Sequence, residues 1–214
     1  MKWVVLFLLL VSPAFGQATD PSATRSSSPV VAAPSNAVVP NYTPATGADR
    51  LKWFAVTTAG PLSLLVSGPV SSAWGTMLNK PKEYGPHWDG FGARYGMRLT
   101  GISTENAMEA SMGALWGEDP RYFPSPQRGF GPRVKYVIRC TFVAPDRDGR
   151  WHPAYARFAG NVGSNFLSNT WREPSENSVG SAVLRVFWGV VGDMAGNAYT
   201  EFWPDVKRKI LRRR

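Results

Sequence analysis

His87 and His152 are the only imidazoles in the chain. With Asp89, Glu118 and Asp119 they make up the side chains a divalent metal would recruit. Their spacing matches no helical motif, in which two ligands share one face four residues apart. No metal or cofactor is therefore expected. A serine nucleophile needs a Gly-x-Ser-x-Gly elbow between strand and helix, and no such pentapeptide occurs. The single cysteine, Cys140, follows Arg139 in an apolar stretch and reads as a buried, inert thiol. Gly90, Gly92 and Gly96 miss the dinucleotide-binding spacing, and no phosphate-loop lysine is present.

What remains are acids and amides on helical stripes. Asp193, Asn197 and Glu201 step by four residues, continuing the side of Val179, Val183, Val186 and Val190. If those valines are buried, the acids lie at the core edge and need cationic partners. Arg157 is the first choice, with Arg94, Arg98 and Arg139 behind it. Arg157, Asn161, Asn165 and Asn169 form a second stripe of the same step. Its amides either face solvent or bond a neighbouring helix or ligand. Arg94, Arg98, Glu105 and Glu109 form a third, expected to be a solvated face opposite a smooth row of small residues. Glu118 and Asp119 close a helix at Gly117, where acids oppose the dipole unless Arg121 or Arg133 offsets them. The candidate polar-network residues are thus Arg157, Asn161, Asn165, Asp193, Asn197, Glu201, Glu118, Asp119 and Arg121.

The elements that carry these residues are long, weakly charged segments stopped by proline. Phe54 to Leu78 has no charge but contains Pro61 and Pro69, so it is kinked or broken. It fits a half-embedded or protein-buried helix as well as a spanning one. Segments over 90–116, 133–143, 153–171 and 175–203 follow. Trp116, Trp171 and Trp203 stand just before Pro120, Pro174 and Pro204 at segment ends. Arg133 to Phe142 alternates as a strand would, and Asp146 to Gly149 supplies a hairpin turn. Helix is nonetheless favoured for 133–142. The expectation is an all-α bundle of about five helices rich in Gly, Ala and Ser, with at most one β-hairpin around 133–158. A small outer-membrane β-barrel is the alternative.

Outside the bundle, Lys2, the apolar run Trp3 to Val11, Pro13 and the small residues to Gly16 have the pattern of a signal peptide. A mature start near Gln17 is expected. Residues 17–47, rich in Pro, Ser, Thr and Ala, read as a disordered tether, and 48–206 as the helical domain. At the other end Lys207, Arg208, Lys209, Arg212, Arg213 and Arg214 form a basic tail. The net charge is +9. Setting aside Lys2 and these six cations leaves 17 Lys and Arg against 15 Asp and Glu. The domain itself is close to neutral, which argues against nucleic-acid binding. The tail suits an anionic membrane or another anionic envelope component.

Glu118-Asp119-Pro120-Arg121-Tyr122-Phe123, the Gly90 to Arg94 run and Trp203-Pro204-Asp205 together resemble uncharacterised exported bacterial proteins carrying a D-P-R-Y-F segment. The resemblance spans roughly residues 60–205 and implies export and a shared fold, with no established activity. The combined expectation is an exported envelope protein, periplasmic or outer-membrane associated, acting as a membrane-associated structural or binding component without catalysis. The other readings are the barrel and an envelope enzyme using Asp193, Glu201, Glu118 or Asp119 as acid or base.

Overall fold

The computed structural model describes residues 38–211. The signal peptide over 1–16, most of the tether and Arg212 to Arg214 lie outside the described residues. Five long helices dominate: α1 (Gly47–Met77), α2 (Trp88–Trp116), α3 (Phe130–Phe142), α4 (Tyr155–Leu167) and α5 (Val179–Leu211). The one sheet among the described residues is a hairpin, β1 (Val143–Pro145) antiparallel to β2 (Trp151–Pro153). The bundle is therefore all-α with a hairpin, and the barrel is excluded. The hairpin uses the expected turn, with Gly149 at φ 76°. The alternating stretch before it is helical, as favoured. Its side chains reach more than one element: Arg133 meets α5, Phe142 meets Phe158 of α4, and Tyr136 and Arg139 meet Trp151 of β2.

α2 is the central element, packed on both α1 and α4, while α5 contacts both α3 and α4. Local chemistry sets the helix ends. Thr46 and Asp49 make a reciprocal capping box at the start of α1. Gly117, at φ 82°, ends α2 in the left-handed region that glycine enters freely. Ser178 Oγ accepts the Ser181 N–H at the start of α5.

The proline-containing α1 is interrupted as expected: Gly60 is extended, at φ −75° and ψ 168°, and the helix resumes after it through a π turn at Leu62–Ser67. Pro69 has no N–H to offer the preceding turn. The Leu64 carbonyl instead accepts Tyr95 Oη from α2 at 2.9 Å. Arg98 similarly donates to Ser67 O and Oγ. Pro204 does not close the last segment either, because α5 continues through it to Leu211. Arg133 clamps the helix across this proline, bonding the Glu201 carboxylate and carbonyl on one side and Asp205 on the other.

Residues 38–46 belong to the fold rather than to the tether. Val39 is buried and its N–H donates to Gly149 O, and Val38 bridges to Arg150. The buried Val39, the Tyr42 hydroxyl on Asp119 and the Arg121 guanidinium on the Thr43 carbonyl hold this stretch.

The distribution of polarity is inverted. Among the described residues seven apolar side chains are buried, none larger than Val, while fourteen polar or charged residues are buried. Thirty-one large apolar side chains are exposed. The expected burial of the Val179 side fails accordingly: Val179 is 66% and Val183 55% exposed. That expectation assumed that apolar side chains must face inward. The inward stripe of α5 instead holds Ala182, Gly189, Asp193, Asn197 and Glu201. Likewise Arg94 and Glu109 on α2 are buried, and the small residues Gly96, Thr100, Ala107 and Ala114 face outward. The solvated-face expectation for that charge stripe is reversed.

Candidate functional site: a buried polar axis

A run of charged and amide side chains occupies the interior where α2, α4 and α5 meet. At its middle Arg157 Nε donates to Glu109 Oε1 at 3.1 Å, with both residues buried. Arg157 Nη1 also donates to the carbonyls of Cys140 and Thr141 at the end of α3. Asp193 lies within electrostatic reach of Arg157 but makes no hydrogen bond to it. The expected Arg157–Glu201 pairing does not form. α5 brings Glu201 to α3 instead, one turn and more beyond the level of Arg157.

The amide stripe of α4 and the turn after it bonds α5 and its own helix. Asn161 is 1% exposed, and its Nδ2 donates to Val186 O of α5 at 3.3 Å. Asn165 Nδ2 donates to Asn161 O and Oδ1. Asn169 Oδ1 accepts Arg185, which also bonds Asn165 O and Glu176 O. Gly189 makes room for Asn161, since a Cβ there would lie 2.4 Å from Asn161 Nδ2. Gly160 allows equally close approach to α2, where a Cβ would lie 3.0 Å from Glu105 O. Alanine normally gains about 1 kcal/mol over glycine inside a helix. Gly189→Ala should instead destabilise the fold by about 1–3 kcal/mol through overpacking. Thermal unfolding followed by ellipticity checks this, and a stabilised variant would mean that the α4–α5 approach is looser than described.

Glu118 and Asp119 lie on the loop after α2, and neither opposes the α2 dipole. Glu118, 2% exposed, turns to the start of α4 and accepts the N–H groups of Ala156 at 3.0 Å and Arg157 at 3.4 Å. It therefore caps another helix at its positive end. Its carbonyl accepts Arg50 Nη1 at 2.7 Å, which ties α1 to the same point. Asp119 is fully buried and accepts Arg121 through Nε, Nη2 and its N–H, and Tyr42 Oη at 3.1 Å. Burial and the Asp119 charge push the Tyr42 hydroxyl up to about 12. The Asp119 hydrogen bond holds the Arg121 guanidinium above its ordinary range.

Glu201 is 3% exposed and accepts Arg133 Nε, Tyr122 Oη at 2.9 Å and the Ser125 N–H at 2.9 Å. Burial, then the bond to Glu201, raises the Tyr122 hydroxyl. Asn197 Nδ2 reaches Thr141 Oγ1 at 3.4 Å. Beside Glu201 an open cleft of about 380 Å³ lies between the 124–129 loop and the last turns of α5. No protein family, curated protein or solved structure matches the chain.

The charged candidates thus form three sets rather than one cluster: Arg157 with Glu109 and Glu118, Asp119 with Arg121, and Glu201 with Arg133. Glu118, Asp119 and Glu201 spend their lone pairs on donors of the protein itself. Among the described residues no group of three or more His, Cys, Asp and Glu is placed to hold a metal ion. His87 precedes α2 and His152 lies in the hairpin. Glu109, Arg133, Tyr122 and Tyr42 were not among the expected network residues. The α2 stripe carried the signal for Glu109, but it was read as facing water.

A second polar hub holds the opposite end of the bundle. Arg94 is 6% exposed and donates to the carbonyls of Lys80, Pro81 and Gly85 at 2.7–2.8 Å. It shapes the loop between α1 and α2 through carbonyl oxygens, with no carboxylate among its hydrogen-bond partners.

Proposed function

We propose that the chain is an exported envelope protein embedded in a membrane, serving as a structural or binding component rather than a catalyst. The observation that carries this reading is the inverted polarity: polar side chains fill the interior and large apolar ones cover the outside. In water that arrangement forfeits the main driving force of folding. In lipid it is favoured, because apolar surface meets acyl chains while buried polar groups bond across helices. Two further features support it. α1 and α5 are long and apolar enough to cross a bilayer. Exposed tryptophans stand near both ends of the bundle, with Trp116 and Trp203 toward the hairpin and Trp88 and Trp171 at the far end, as an interfacial belt requires.

The test is fractionation of the producing cells followed by an alkaline carbonate wash. The protein should stay in the membrane pellet, leave it only with detergent, and carry an N-terminus near Gln17. Release by carbonate would overturn the embedded reading. A retained Met1 would overturn export.

A further inference from the structure

We propose that the last turns of α5, residues 199–211, together with Arg128 form a docking surface for anionic phospholipid headgroups at the hairpin end of the bundle. This rests on the membrane reading above and names the partner of one end.

Tyr199, Trp203, Val206 and Ile210 follow one another by four, three and four residues, and all are exposed. They form an apolar stripe on a helix that the bundle leaves uncovered from Val206 onward. Tyr199 and Trp203 stack with ring centroids 5.1 Å apart. Lys207, Arg208 and Lys209 occupy the same turns. An apolar stripe with aromatic rings and flanking cations is what an interfacial helix presents to a charged bilayer. Length agrees with this placement. About 20 residues cross the hydrocarbon layer, and α5 has 33, so its final turns emerge at headgroup level.

The cleft beside this arm adds a specific feature. Arg128, Arg133 and Arg208 line it with Glu201 and Asp205. Arg133 is held by both acids, and Arg208 shares Asp205. Arg128, Lys207 and Lys209 have no carboxylate partner among the described residues. An unpaired guanidinium in a cleft matches a phosphate oxygen pair. Phe130, 73% exposed, packs on Phe202 at 5.4 Å beside the cleft and extends the apolar surface toward acyl chains. The opposite end is closer to balance: Glu83, Asp89, Glu173 and Glu176 stand there with Lys80, Lys82, Arg172 and the hydrogen-bonded Arg94 and Arg185. The arm differs from it in setting its free cations beside an uncovered apolar stripe, which suits it to anionic lipid.

The test uses the full chain reconstituted in phosphatidylcholine bilayers with and without phosphatidylglycerol. Quenching of Trp203 is read as the difference between the parent and Trp203→Phe. Brominated phosphatidylglycerol should quench several-fold more than brominated phosphatidylcholine at equal bromine content. Arg128→Gln combined with Lys207→Gln should abolish that preference, with helicity unchanged. Equal quenching by the two lipids, or a preference that survives both substitutions, would overturn the proposal. So would tight binding of dextran sulfate without any preference for the anionic lipid, which would favour a soluble polyanion. The two readings fail separately. A carbonate-released protein that keeps the phosphatidylglycerol preference upholds the arm and overturns embedding. An embedded protein without the preference does the reverse.

Discussion

Arg157→Ala and Glu109→Ala should each destabilise the fold by about 3–5 kcal/mol, because each leaves the other charge buried without its partner. Both residues are under a tenth exposed, and they join α4 to α2. Arg157 also bonds the carbonyls of Cys140 and Thr141, so its loss additionally frees the end of α3. The double variant should cost far less than the sum of the two single losses. Arg157→Ala combined with Glu201→Ala should instead be nearly additive, since Glu201 answers to Arg133. Denaturation of the detergent-solubilised protein, followed by ellipticity, measures all of these. Additivity for the Arg157–Glu109 pair together with strong coupling for Arg157–Glu201 would show that α5 sits in a different register against α4.

Glu118→Ala should cost about 3 kcal/mol. Two buried N–H groups at the start of α4 lose their acceptor, and each unsatisfied donor costs roughly 1–3 kcal/mol. The negative charge that faces the positive end of α4 is lost as well. Glu118→Gln retains one oxygen as acceptor and should cost about half as much. The same unfolding measurement separates the two variants. Equal losses would mean that the side chain acts by its volume rather than as a cap. The effect should be local at first, with amide exchange rising at Ala156 and Arg157 before it rises in α2.

The number and approximate limits of the helices were legible because prolines and glycines punctuate apolar segments. Gly117 ended its helix as expected. Pro204 did not, because Arg133, distant in sequence, braces the turn on either side of it. The polar stripes were legible as stripes, and their four-residue steps survive in the structure. Their direction was not. Val179 and Val183 were assigned to the interior on the premise that water lies outside, and that premise also sent the Arg94–Glu109 stripe outward. Composition contains both sides of an amphipathic helix but does not say which medium surrounds it. Partner choice was the other loss. Arg157 and Glu201 share a spacing rule, but the register between α4 and α5 depends on Gly189 lying under Asn161. No periodicity within a single helix carries that information.

The π turn of α1 has a consequence for how the gene for such a helix can change length. After the extended Gly60, Ser63, Gly68 and Ser72 are all buried, at steps of five and four. A regular α-helix advances about 100° per residue, so one extra residue would ordinarily rotate everything after it away from α2. The wide turn at Leu62–Ser67 absorbs that residue and returns the downstream half to its original phase. A single-codon deletion within 62–67 would relax the turn to α while keeping Ser72 facing inward. The same deletion a turn after it would swing the remaining side chains by more than a quarter of a revolution. The segment is therefore the natural site for a one-codon deletion in this helix.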